Sequence, residues 1–148
     1  MWAKLGKTLL LCLIGGAVYY ALEILWRGYS HWSMFLLAAF LSLPLDQINE
    51  HMSWETPIWL QAILGGIAIT VAELLAGLVL NVWLGLGVRD YSDLPLNLWG
   101  QICLQYSLMW ILLAAFGIVL FDVLRWCLFG EEMPRYRWKL RRKGDDLA

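Results

Sequence analysis

The chain has few of the groups on which soluble enzymes are built. Only 16% of its 148 residues are charged, and it holds two histidines, three cysteines and four prolines. His31 and His51 fall on opposite sides of the layout expected below, so no histidine metal site is expected. Cys12, Cys103 and Cys127 each lie inside an apolar segment, far apart and without metal-ligand or redox spacing, and read as small packing residues. There is no Gly-rich Walker loop, no nucleophile elbow and no zinc spacing. The chain is therefore not expected to be an enzyme, to carry a cofactor or to bind nucleic acid, and any ATP-driven function needs a separate ATPase chain.

What is abundant is apolar surface. With 61% hydrophobic residues and a mean hydropathy of +0.63, the composition exceeds what a soluble core requires and fits one integral membrane domain. The N-terminal MWAKLGKTLLLCLIGGA has a basic start and an apolar run, but no small-x-small cleavage site, and the apolar pattern continues to Trp26. A retained first span is expected rather than a signal peptide, and bulky Leu11 before Cys12 argues against a lipoprotein site.

The expected fold is an all-α bundle of four transmembrane helices over residues 1–130, with spans at about 9–26, 32–49, 58–86 and 100–129. Pro44 predicts that the second is short or kinked. Thr56 and Pro57 suit the cap and first turn of the third, which is longer than a perpendicular crossing needs. Along it Ala62, Gly66, Thr70, Glu73, Gly77 and Asn81 form a small-and-polar stripe for helix packing, while Ile67, Val71, Leu74, Leu75, Leu78 and Val82 lie largely on the other side, toward lipid. Trp26 with Trp32, Trp54 with Trp59, and Trp83 with Trp99 flank the three connectors as interfacial belts do, leaving Trp110 inside a span.

Residues 131–148 form a basic tail, in which Arg135, Arg137, Lys139, Arg141, Arg142 and Lys143 supply six of the eleven basic side chains. This tail, Lys4 and Lys7 put both termini in the cytoplasm; the opposite connectors carry only Arg27 and Arg89. Trp138 and Leu140 among these cations suit a membrane-surface segment.

Four carboxylates fall within or at the ends of spans. Glu23 has Arg27 four residues on, and Asp122 has Arg125 three residues on, both favourable helical spacings. Glu73 has no basic residue within a helical turn, so it must be protonated, reached by water or paired with another helix. It is either part of a binding or transport path, with Glu23, Asn81, Thr70 and Tyr20 as companions, or a hydrogen-bonded carboxyl that glues helices together. Asp46, Glu50, His51 and Glu55 cluster at the cytoplasmic end, where they bind an ion or partner or simply dock the basic tail.

The stretch AELLAG, Asn81, then RDYSDLPLNLWGQICLQYSLMW resembles the signature of the ABC-transporter type IV family of small bacterial permease-like membrane proteins. The resemblance maps onto Glu73, Asp90, Tyr91, Ser92, Pro95, Asn97, Gly100, Ile102, Cys103, Leu104, Ser107 and Trp110, and YYALEILWRG resembles the family's first span, with its acid at Glu23. Two departures stand out: RGYSHWSMFLL replaces an N-R-G-F-L-x-G-P type connector, and Arg89 stands where a Trp is common. The resemblance implies residence in the bacterial cytoplasmic membrane and a permease-like role beside an ATPase or as a homo-oligomer, with no substrate attached. A holin-like permeabilising protein and a structural or regulatory membrane subunit are the competing readings.

Overall fold

The apolar runs fold into four helices in a computed structural model that describes residues 1–139, apart from the side chains of Asn49 and Glu50. Helix α1 spans Trp2–Arg27, α2 Trp32–His51, α3 Ile58–Gly77 with a π-helical continuation Leu78–Trp83, and α4 Leu104–Phe129. A two-stranded hairpin, β1 (Asn97–Leu98) with β2 (Ile102–Cys103), precedes α4. The expected all-α membrane bundle of four helices is what forms. Three helices, α1, Ile58–Trp83 and α4, are long and apolar enough to cross a bilayer, whereas the apolar part of α2 is the shorter Trp32–Ile48.

Local chemistry moves several boundaries. Helix α1 begins at Trp2 rather than near Leu9, because nothing in WAKLGKT interrupts it, and it stops where the Gly28 N–H turns back to the Ile24 carbonyl at 2.7 Å. Pro44 lies inside α2 without ending it. The cap of α3 is Pro57 rather than Thr56. The Ile58 N–H, an orphan of the helix start, donates to the Arg137 carbonyl at 2.9 Å, so the tail supplies the acceptor. The fourth helix starts at Leu104, later than the sequence suggests. Leu96, Trp99 and Gly100 adopt left-handed φ of 54°, 53° and 69°, which no right-handed helix accommodates.

Helix α1 packs along α2, and α3 along α4; α2 touches α3 and α4, while α1 and α4 barely meet. Buried Leu11, Leu41, Leu45, Ile69, Ala114, Ile118 and Phe121 fill the middle. Small residues set the helix spacing. A Cβ on Gly66 would lie 2.9 Å from the Ile111 backbone, so only glycine lets α3 approach α4 this closely. Of the residues expected to face lipid, Ile67, Val71, Leu75 and Val82 are exposed on the opposite side of α3 and its continuation, while Leu74 and Leu78 are half-buried.

The Lys7 ammonium meets Glu131 at 3.2 Å, which puts the N-terminus and the end of α4 at one end of the bundle. There the tail crosses the start of α3: Trp59 donates to the Trp138 carbonyl at 2.9 Å, and Pro57 pairs with Arg137 as an isolated bridge. The opposite end carries the connector between α3 and α4.

Candidate functional site: a buried guanidinium between two helix carboxylates

The site begins with Asn81, in the π-helical turn. Its amide imitates a backbone strand. The side-chain oxygen accepts from the N–H of Val88 at 2.6 Å and of Arg89 at 3.4 Å, and the nitrogen donates to the Arg89 carbonyl and to Gln101 Oε1, both at 2.8 Å. A π turn re-aims side chains by inserting a residue, and here it points Asn81 at the connector. Held in this way, the chain turns Arg89 into the bundle.

Arg89 is buried at 8% exposure and joins two spans. Its Nη1 donates to Glu73 Oε1 at 2.5 Å and to the Tyr91 hydroxyl at 2.9 Å; its Nη2 donates to Glu23 Oε1 at 2.5 Å and to the Tyr19 hydroxyl. Glu73 also accepts from the Tyr91 hydroxyl at 3.0 Å and, through Oε2, from Trp110 Nε1 at 2.6 Å. Glu23 also accepts from Arg27 at 3.0 Å and from the Ser30 hydroxyl at 2.7 Å. The Arg89 guanidinium carbon lies 5.5 Å from the Trp110 ring centre, within cation–π range. Two carboxylates and two guanidinium groups thus balance in a medium that does not tolerate a lone charge. Within this cluster Arg89 Nε is buried without an acceptor.

The family-type residues of the connector hold this arrangement from outside. Asp90 accepts from the Ser92 N–H at 2.9 Å and the Ser92 hydroxyl at 2.5 Å, bonds that hold its carboxyl below its ordinary pKa. Asn97 donates to the carbonyls of Ser92 and Leu94 and accepts from the Gly100 N–H at 3.0 Å, closing the turn around Pro95. The Tyr91 N–H returns to the Gly100 carbonyl at 2.8 Å. Gly100 is required on two counts: its φ is 69°, and a Cβ there would meet Ser92 Oγ at 2.5 Å. Tyr91 stacks on Tyr106 with ring centres 4.9 Å apart.

Beside the cluster is a cavity of about 470 Å³, lined by Tyr19, Glu23, Arg27, Arg89, Tyr106 and Trp110 among others. A narrower apolar space of about 80 Å³ continues from Arg89 and Glu73 between α1, α2 and α4. Their shared wall is the seam where α1 and α4 barely meet.

The residues expected to act together divide. Glu73, Glu23 and Asn81 converge, and Tyr91 and Trp110 join them directly. Tyr20 does not: its neighbour Tyr19 reaches the cluster instead, because a helix turns about 100° per residue. Thr70 is half-buried on α3 and takes no part in the bonds described. Cys103 caps α4, and Ser107 is half-buried one turn into it. Glu73 is paired through a connector rather than through a helix. Arg89, which completes the pair, stood out in the sequence as one of two cations in the outer connectors and as a departure from a common Trp, with no role attached. The signal available was a count of charges: Arg27 lies at helical spacing from Glu23, which makes Arg89 a candidate for Glu73 without placing it there.

At the other end, Asp46 binds Arg125 through two bonds of 2.6 and 2.5 Å, and His51 turns to the Gln47 carbonyl. Among the described residues no group of His, Cys, Asp and Glu is arranged for a metal ion. Arg135 pairs with Glu132, and Arg137 is engaged through its backbone. Arg141, Arg142 and Lys143 lie outside the described residues, as does the Glu50 side chain. The described tail contacts to the start of α3 run through the Arg137 and Trp138 carbonyls, which accept from the Ile58 N–H and the Trp59 indole.

A family model described as Putative ABC-transporter type IV matches residues 11–130. The chain belongs to that family. No curated protein and no solved structure matches it. In this type IV family member the matched stretch contains every residue of the Arg89 cluster and of the turn that holds it, and stops before the tail.

Proposed function

We propose that this chain is a permease-like membrane component of the bacterial cytoplasmic membrane, with both termini in the cytoplasm, working with a separate ATPase chain or as a homo-oligomer. The observation that carries the reading is the cavity beside a buried ionic cluster at the end remote from the termini. A charge set that serves packing alone gains nothing from a cavity at its side. In this reading the cavity is the outward-facing part of a path, Glu73 and Glu23 are the groups that meet the cargo, and Arg89 keeps the path closed at rest. The chain carries no catalysis of its own, so nucleotide hydrolysis belongs to the partner.

Two experiments test this. Purification of the tagged protein at native level in mild detergent, with mass spectrometry of what accompanies it, should return a nucleotide-binding ATPase in stoichiometric amount. A homogeneous self-assembly without one removes the ATPase partner from the proposal. Glu73→Gln should insert normally and abolish function in cells; a well-expressed, fully active variant ends the role given to this carboxylate.

A structural or regulatory subunit is the second reading, favoured by how firmly Asn81, Asn97 and Asp90 brace the connector. Loss of a partner complex on removing residues 135–143, with Glu73→Gln silent, would select it.

A further inference from the structure

We propose that the Glu23–Glu73 pocket is a binding site for an organic cation bearing a guanidinium or ammonium group, and that Arg89 is a tethered occupant which such a cation displaces. The proposal deepens the permease reading by giving the class of its cargo, and binding is tested below apart from flux.

The receptor and its occupant come from different kinds of structure. Tyr19 and Glu23 project from α1, Glu73 from α3 and Trp110 from α4, all from regular helices that pack without Arg89. Arg89 comes from the connector, held by the Asn81 side chain and by the Tyr91 N–H bond to Gly100. Those bonds can open without unwinding a span, so the guanidinium can leave while its receptor stays in place.

Charge selects the replacement. With Arg89 seated, Glu23, Glu73, Arg27 and Arg89 balance; with Arg89 withdrawn, the floor keeps two carboxylates against Arg27 alone, a deficit of one positive charge. Asp90 and Asp93 line the cavity with Glu23, against Arg27 and Arg89; withdrawing Arg89 uncovers Glu73 and leaves four carboxylates against one guanidinium. Anions are repelled and a monovalent cation restores the balance. The walls favour an organic cation over a bare metal ion: Tyr19, Trp26, Tyr91, Tyr106 and Trp110 present rings to the cavity, and Arg89 already lies over Trp110. A cavity of about 470 Å³ admits a small molecule. The seat is imperfect for its present occupant, because Arg89 Nε is buried without an acceptor. A free ligand, not constrained by a chain on either side, can satisfy all its donors.

The test compares the native chain with Arg89→Ala in mild detergent, using ethylguanidinium and ethylammonium chlorides against equal sodium chloride. Removal of a tethered competitor should let Arg89→Ala bind at least one probe roughly tenfold more tightly than the native chain, read as a larger rise in thermal midpoint at equal concentration. Arg89→Ala with Glu73→Gln should lose that response. In the native chain, the stronger probe should raise amide exchange across residues 84–98 as Arg89 is displaced. An Arg89→Ala protein that keeps its helix content yet responds to neither probe overturns the proposal, as does an equal response in the native chain. Should Arg89→Ala not accumulate, native-chain exchange decides, and unchanged exchange overturns it. Flux separates the two readings: cation binding without transport leaves this site and removes the transporter, while transport of a neutral or anionic solute without cation binding does the reverse.

Discussion

The two ends of the bundle hold the same chemistry in different settings. At one, Arg89 joins Glu23 and Glu73, with all three side chains no more than 7% exposed and a cavity beside them. At the other, Arg125 joins Asp46 to Glu131, and Glu131 continues to Lys7, with exposure rising from 2% at Asp46 to 31% and 36% at the last two. The first network keeps its central arginine and both carboxylates inside the protein and reaches outward through Arg27, whereas the second loses burial at each step toward water. An arginine between two carboxylates therefore does not by itself mark a functional site. Burial decides how much the pairing is worth, and the neighbouring space decides what else it can do.

Arg89→Ala tests the buried end most severely. Leaving Glu73 without a cation, and Glu23 with Arg27 alone, should cost about 3–5 kcal/mol, read as a lower midpoint of thermal unfolding in detergent. A loss under about 1 kcal/mol, the scale of an exposed pair, would erase the contrast between the ends. Arg125→Ala comes next, with an expected loss of about 2 kcal/mol for its charge-assisted bonds to Asp46 and Glu131, and with cellular function retained. If it abolished function in a stable protein, the second network would be more than architecture. Glu73→Gln should be milder in stability than either. The amide keeps an acceptor for Arg89 while giving up one charge, an expected loss of about 1–2 kcal/mol, so its loss of function separates activity from folding.

The smallest effect belongs to Lys7→Ala, about 0.5 kcal/mol for a part-exposed pair and less at high salt. The same pair gives a pH test. Burial alone would raise the Glu131 pKa, but hydrogen bonds from Arg125 and Lys7 outweigh it and hold the carboxyl below its ordinary 4.5. A carboxyl depressed on folding contributes stability above its unfolded pKa and loses it as pH falls through the folded one. Stability contributed by Glu131 should therefore be complete at pH 7 and decline below about pH 4.5, and Glu131→Gln should flatten that decline in a midpoint-against-pH series.

Much of the fold was legible because membrane helices announce themselves by length and apolarity. The stripe from Ala62 to Asn81 also follows from helical spacing alone, and its buried members, Ala62, Gly66 and Glu73, face neighbouring helices. The start of α4 was not legible. QICLQYSLMW is apolar enough to extend the helix backwards, and only the hydrogen bonds of Asn97 and the left-handed residues around it place a hairpin there. Choosing Tyr20 over Tyr19 failed for a similar reason, since periodicity names a face and not which of two adjacent residues reaches a particular atom.

By itself the sequence determined that this chain resides in a membrane, which segments span it, and that Glu73 is not a lone exposed charge, because hydrocarbon tolerates neither open backbone nor an unaccompanied ion. Only the tertiary structure decided that the partner is Arg89. That pairing joins α1 to α3 through residues 66 and 16 positions apart in the chain, and depends on a π turn, an asparagine that imitates a strand and a turn closed at Gly100. No local spacing encodes it, since the geometry exists only once all three spans and the connector are packed.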